Sequence, residues 1–336
     1  MPQIQQKVPF VSVIIPIYNV EKFLRQSLDC VISQTLNDIE IICINDGSTD
    51  ASAQIVAEYA AKDSRIRFFS QKNAGYGAAV NHGLDMAIGK YVAIYEPDDW
   101  IEPDMYEVLY KAAEADNADL VKADYFKYWS NGNDKYETIA KKEAYNKVFT
   151  PSPEVYLSNI WGSIWSAIYL NQMIKDNHIR LSETSGASFQ DTGFIFKTNI
   201  CAKRVILLDK AFLHYRQDNE SSSINSKNKI FCVCDEYDDI DEFIRKYNLR
   251  QWQNLANRKR CEAYFWNLER LSPENRQIFI DRVKPFLLQV KEMTANGEFS
   301  LSAKKYKKLE LLRKSEKKFL RYYKIRDFLH KLRSII

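Results

Sequence analysis

A chain of 336 residues can hold one large domain and a smaller companion, and 46% hydrophobic with 27% charged residues excludes a disordered or low-complexity protein. The net charge of +4 is uneven: residues 301–336 carry 13 Lys or Arg against 3 Asp or Glu, which leaves the first 300 residues at −6. A mildly acidic body is not the footprint of a nucleic-acid-binding fold, and the basic end points to an anionic surface.

In chain order, short apolar runs at 11–15, 39–44, 66–69, 91–95 and 120–126 read as strands, mostly buried on both faces. Amphipathic stretches at 21–35, 51–62, 77–87 and 103–116 read as helices between them. This alternation predicts an α/β fold, a Rossmann-like, mainly parallel sheet flanked by helices and joined by right-handed crossovers. Ligands then bind beyond the carboxyl ends of the strands. Residues 130–153 are polar and aperiodic, an expected exposed excursion. Mixed structure follows over 160–208, and 212–216 reads as the last strand. Beyond about residue 228 the pattern is helical, with breaks expected near Pro273, Pro285 and Gly297. The expected division is 1–220 for the α/β domain and 221–336 for a helical C-terminal region.

Chemistry concentrates where strands end. Pro16 reads as closing the first strand and delivering the Tyr18 ring to the sheet edge, where it can pack on a nucleobase or belong to an ordinary turn with Asn19. Asn45-Asp46-Gly47-Ser48-Thr49-Asp50 follows the second strand, and Asp46 there can accept a hydrogen bond from a base N–H. Asn73-Ala74-Gly75-Tyr76-Gly77 opens a helix and offers backbone N–H groups to a phosphate. Glu96-Pro97-Asp98-Asp99-Trp100 places three carboxyls in four positions at the end of a buried strand. Such mutual repulsion is tolerated where a hard divalent cation sits or where water is abundant. Asp191, among Ser188-Phe189-Gln190-Asp191-Thr192-Gly193-Phe194, reads either as a helix N-cap or as a partly enclosed general base.

Taken in order, Pro16, Tyr18, Asn19, the 45–50 turn, Asn73, Gly75, Glu96, Asp98, Asp99 and Asp191 resemble glycosyltransferase family 2 over about residues 10–220. The resemblance implies a GT-A fold and an inverting transfer of a hexose or N-acetylhexosamine from a nucleotide-sugar donor. The acceptor it implies is a glycan or lipid-linked hydroxyl, in surface-polysaccharide synthesis, with uracil the family's commonest base. By the same resemblance Pro16, Tyr18 and Asp46 hold the nucleobase, and Asn73 and Gly75 line the donor cleft. Asp98 and Glu96 would ligate Mn²⁺ or Mg²⁺, and Asp191 would be the base. His214, in His214-Tyr215-Arg216, would be a further metal or phosphate contact, or else a strand-edge histidine. Three departures stand out: Glu96 where Asp is usual, Gln190 where Glu precedes the base, and Val80 where many members carry Arg. The last leaves a diphosphate contact missing or supplied elsewhere, with Arg216 a candidate.

The final stretch sets Tyr322, Ile325, Phe328, Leu329, Leu332 and Ile335 among basic residues at three-to-four spacing. Two readings stand open, a peripheral membrane contact or a helix packed on its own domain. Six cysteines without a C-x-x-C pair, and only four histidines, read as reduced cytosolic thiols rather than a zinc site. No apolar run approaches about 18 residues, so the expected location is cytoplasmic. A nucleotidyltransferase and a non-catalytic carbohydrate-binding relative are the alternatives. A dehydrogenase would need a G-x-G-x-x-G loop that this chain lacks.

Overall fold

The computed structural model describes residues 8–155, 163–184, 188–219 and 229–333. The chain divides into two compact units, Met1–Ser223 and Ile224–Ile336.

The first unit is built on one mixed sheet. Strands β1 (Val11–Ile17), β2 (Ile39–Asn45), β3 (Ile66–Ser70) and β4 (Tyr91–Ile94) run parallel in the order β3-β2-β1-β4. Every residue of β1 and β2 is buried, which is why both read as unbroken apolar runs: helices cover both faces. The helices between them are α1 (Glu21–Ile32), α2 (Ser52–Ala60) and α3 (Tyr76–Met86). Leu24, Leu28 and Val31 of α1 pack into the same core as Val13, Ile15, Ile41 and Cys43.

The far half of the sheet departs from a simple parallel order. The short strand β9 (Ala167–Leu170) lies antiparallel between β4 and β6 (Leu120–Tyr128), and β10 (Val205–Arg216) runs parallel to β6. Trp100–Ile101 forms β5 on the outer edge of β10, and β7 (Lys135–Glu137) and β8 (Val148–Phe149) pair with β6 and β10. Part of the 130–153 excursion is therefore strand. Its anchor is the buried Asp124 carboxylate, which accepts from the Tyr136 and Tyr145 hydroxyls and the Ile139 N–H. The unit also contains helices α4 (Met105–Asp116), α5 (Asn171–Asp176) and α6 (Gln190–Cys201).

Pro16 does not end β1; the strand continues to Ile17, with Pro16 opposite Ile44 of β2. Ile14, two residues earlier and so facing the same side, is the last β1 residue registered with β4, and its carbonyl accepts from Tyr95. The missing N–H of Pro16 thus points to where β4 has already stopped and costs no ladder bond.

The second unit is helical: α7 (Cys232–Lys246), α8 (Gln253–Arg270), α9 (Pro273–Ala295), α10 (Ala303–Lys314) and α11 (Glu316–Arg333). Pro273 opens α9 at its first turn behind the Ser272 cap, while Pro285 sits inside α9 without ending it. Buried Val283, Leu287 and Val290 hold the helix on its neighbours across the lost hydrogen bond. Arg276, 1% exposed, donates to the carbonyls of Leu268 and Leu271 and to Asp327, and so ties α8, α9 and α11 together. Among the described residues no two cysteines form a disulfide, and no helix is long and apolar enough to cross a membrane.

Candidate active site

The strand ends of β1 to β4 gather the sequence motifs on one edge of the sheet, and the turns after β1 and β2 are laced together. The Asn19 side chain accepts from the Thr49 N–H at 2.8 Å, and Asn19 itself sits at φ 50°. The Glu21 N–H, at the start of α1, donates to Asp50, and the Glu21 carboxylate accepts from the Ala51 N–H at the start of α2. Each helix is capped by the other's turn. Between these turns Tyr18 stays 51% exposed, an uncommitted aromatic face at the sheet edge. A cavity of about 420 Å³ opens alongside, lined by Asn19, Phe23, Asp50, Asp218 and Asn219 among others.

Asp46 is 3% exposed, and its carboxylate is engaged within the protein. Its Oδ1 accepts from Gln71 Nε2 at 2.8 Å and the Ala74 N–H at 2.9 Å, and its Oδ2 accepts from the Gly75 N–H at 2.9 Å. Asp46 therefore holds the loop that carries Asn73 and Gly75. Gly47, at φ +71°, lets the two loops meet, since a Cβ there would come within 2.8 Å of the Asn73 nitrogen. Asn73 is exposed, whereas Gly75 is buried at φ 96°, immediately before α3. The loop thus leads into a helix N-terminus, where N–H groups can meet an anion.

The acidic turn after β4 is the electrostatic centre. Glu96 accepts from the Tyr76 hydroxyl at 2.5 Å. Burial, with the charges of Asp98 and Asp191 nearby, pushes its carboxyl up to about 8, although the Tyr76 bond works the other way. Asp99, 1% exposed, is held well above the usual carboxylate range by burial and by Asp98; its Oδ1 accepts the Arg216 N–H, and its Oδ2 is buried without a hydrogen-bond partner. Asp98 is half-buried and accepts from Asn219 Nδ2 at 2.8 Å. Tyr215, near the end of β10, lies within the field of Asp99, Asp98, Glu96 and Asp191, and its ring stands 5.2 Å from that of Trp165.

Asp191 lies in the first turn of α6, one residue inside the helix, so it is not the N-cap; Phe189 holds that place at φ 65°. Burial raises its pKa, while the Thr192 and Asp191 N–H groups and the Lys122 charge lower it. Lys122 is 2% exposed on β6, and its ammonium donates to the Ser163 carbonyl and hydroxyl. Burial brings its pKa down to about 7, against the pull of Asp191. Gln190 is buried too: its amide donates to Thr184 Oγ1 and its oxygen accepts from the Ser188 N–H. The amide also donates to the Thr184 carbonyl at 3.3 Å, a bond that a carboxylate could not make, so the departure from Glu at this position has a structural use.

Three further positions have definite surroundings. His214 is packed between the rings of Trp100 (centroids 3.4 Å apart) and Phe126 (4.6 Å), with Nε2 3.0 Å from Glu102. Alternation along β10 gives the acidic turn Tyr215 instead. Arg216, 6% exposed, donates to the Asp98 carbonyl, Ser130 and Gln26 and lies over the rings of Phe23 and Tyr128. Val80 is fully buried, so its position is part of the core here. Sequence reading passed over Tyr76, Tyr215 and Lys122. Only Lys122 left a signal, a lone cation within a buried apolar strand.

A divalent cation fits this turn. Glu96 and Asp99 are both held above the usual carboxylate range, by burial first and then by neighbouring carboxyls, and Asp99 keeps an orphaned buried oxygen, so the turn is a hard-oxygen site short of positive charge. Among the described residues no three His, Cys, Asp or Glu side chains form a complete cage. The fitting arrangement is one or two carboxylates sharing Mg²⁺ or Mn²⁺ with substrate phosphates.

Residues 12–169 match the family described as Glycosyl transferase family 2. Glycosyltransferase GlyA of Streptococcus pneumoniae is 35% identical over 218 residues, 61% of this chain and 30% of that protein. EpsJ of Bacillus subtilis, a glycosyltransferase by name, is 32% identical over 64% of this chain and 63% of its own length. The cholesterol galactosyltransferase of Borreliella burgdorferi is 35% identical over 65% of this chain and 64% of its own. The chain thus spans less than two thirds of each of these relatives. Among solved structures, TarS 1-349 of S. aureus, crystallised with UDP-GlcNAc, matches with a TM-score of 0.57 over 90% of this chain and 91% of that one; at 18% identity the likeness is one of fold. The family match runs from β1 into β9, over the strand ends that gather these side chains, and the chain has a GT-A-like fold with a helical C-terminal region.

Proposed function

We propose that the chain is an inverting glycosyltransferase that moves a hexose or N-acetylhexosamine from a UDP-sugar to a hydroxyl of a glycan or lipid-linked acceptor, in surface-polysaccharide synthesis. The observation that carries this reading is that Glu96, Asp98 and Asp191 share one electrostatic neighbourhood: Glu96 feels the other two, and Tyr215 feels all three. Complexes of the S. aureus fold relative with UDP and UDP-GlcNAc support a uridine nucleotide as donor. The galactosyltransferase relative supports a hexose.

In this reading the exposed Tyr18 ring stacks on the base, and the Asp46-held loop presents the start of α3 to the diphosphate. Asp98, with Glu96, would hold Mn²⁺ or Mg²⁺, which when bound supplies positive charge to the departing diphosphate. Asp191 accepts the acceptor hydroxyl's proton as that oxygen attacks the anomeric carbon opposite the leaving group, and configuration inverts. Lys122 favours the ionised form of Asp191, the form a base requires.

The test is Asp191→Asn, assayed for transfer from radiolabelled UDP-sugars and for donor affinity by calorimetry. Transfer is expected to fall by about 10²–10⁴-fold with donor affinity within about threefold of the parent. A variant that transfers within a few-fold of the parent removes Asp191 as the base. Donor binding without transfer or donor hydrolysis in the parent itself would leave a carbohydrate-binding relative.

A further inference from the structure

Helix α11 has two apolar faces. Phe319 and Tyr323 are fully buried in the helical unit. Ile325, Phe328, Leu329 and Leu332 are 51%, 62%, 50% and 44% exposed. At 100° per residue these four fall in one stripe about 100° wide, turned roughly 150° from the buried face. Large apolar side chains clustered on a surface mark a contact site.

The basic residues of the same unit divide in the same way. Those turned inward are paired: Lys308 and Arg326 with Glu269, Arg276 with Asp327, Lys284 with Glu316. Lys317, Lys318, Arg321 and Lys324 of α11 are exposed, and none makes an ion pair with a described residue. By helical angle Lys317, Lys318, Arg321 and Lys324 fall within or beside the outward stripe, one to two turns before its apolar part.

We propose that the outward face of α11 docks on an anionic lipid bilayer, the helix lying in the interface with Ile325, Phe328, Leu329 and Leu332 among the acyl chains and the four cations at the headgroups. Charge complementarity selects this occupant. A second copy of the face would bring like-charged rows together, whereas anionic headgroups neutralise them while the acyl region takes the apolar stripe. The helix is too short of apolar residues to span, so it lies on the surface.

The experiment is co-sedimentation of the full chain with vesicles of phosphatidylglycerol and phosphatidylcholine, or of phosphatidylcholine alone, at low and high salt. Two variants are compared: Phe328→Ser/Leu329→Ser, and Lys317→Ala/Lys318→Ala/Arg321→Ala/Lys324→Ala. All six positions are exposed, and an unchanged melting temperature verifies the fold. The parent is expected to pellet with anionic vesicles only, with affinity falling about tenfold or more in high salt or in either variant. A parent that stays in the supernatant overturns the proposal. So does pelleting that both variants retain, or a dimer that Phe328→Ser/Leu329→Ser dissolves while no vesicle binding is seen.

Discussion

Asp46→Asn separates two roles that the same residue could play. The carboxylate accepts three donors at 2.8–2.9 Å, from Gln71, Ala74 and Gly75, at a site 3% exposed to water. An amide keeps one oxygen. If that oxygen stays with Gln71 and Ala74, the new NH₂ faces the Gly75 N–H, donor against donor. One bond to a charged acceptor, worth about 1.5–3 kcal/mol, is lost, and an unsatisfied buried donor costs about 1–3 kcal/mol more. A net destabilisation of about 3 kcal/mol follows, which for a unit of this size lowers the melting temperature by roughly 6–12 °C. The loop before α3 then loses its position, so UDP affinity should weaken about tenfold or more. Differential scanning fluorimetry and calorimetry measure the two quantities on one sample. If UDP binding weakens while the melting temperature stays within about a degree, Asp46 touches the base and does not organise the loop, and the reasoning is wrong.

Two further outcomes are expected. Lys122 titrates near 7 in the fold and near 10.5 when unfolded, so the folded chain binds fewer protons between those values and its stability rises with pH across that window. From pH 7 to 9 the parent should gain about 2 kcal/mol in urea unfolding, and Lys122→Met should lack that gain; parallel pH curves would remove the buried ammonium from the account. Asp98→Asn should abolish the Mn²⁺-dependent part of UDP binding seen as a thermal shift, and an unchanged Mn²⁺ dependence would place the cation elsewhere.

The parallel half of the sheet was legible because β1, β2 and β4 are buried on both faces and read as apolar runs. Strand β9 was not, since four residues carry no usable period. The first part of β10 was hidden by Asp209 and Lys210, where the register against β6 shifts and the chain bulges outward. Pro285 misled because packing along α9 outweighed a local penalty. At the site, Asp46, Gly75, Glu96 and Asp98 could be found because each follows a strand. The partners that tune them could not. Tyr76 reaches Glu96 across 20 positions, and Lys122 meets Ser163 across 41, separations that only the fold brings together.

The reciprocal capping of α1 and α2 has a consequence for motion. Freeing either helix start strips a hydrogen-bond partner from the other, so the first two βα units should open as one cooperative block rather than fray separately. Amide exchange at Glu21 and Ala51 should then share one opening free energy. The turn bearing Tyr18 would be a rigid platform, already set before any nucleotide arrives.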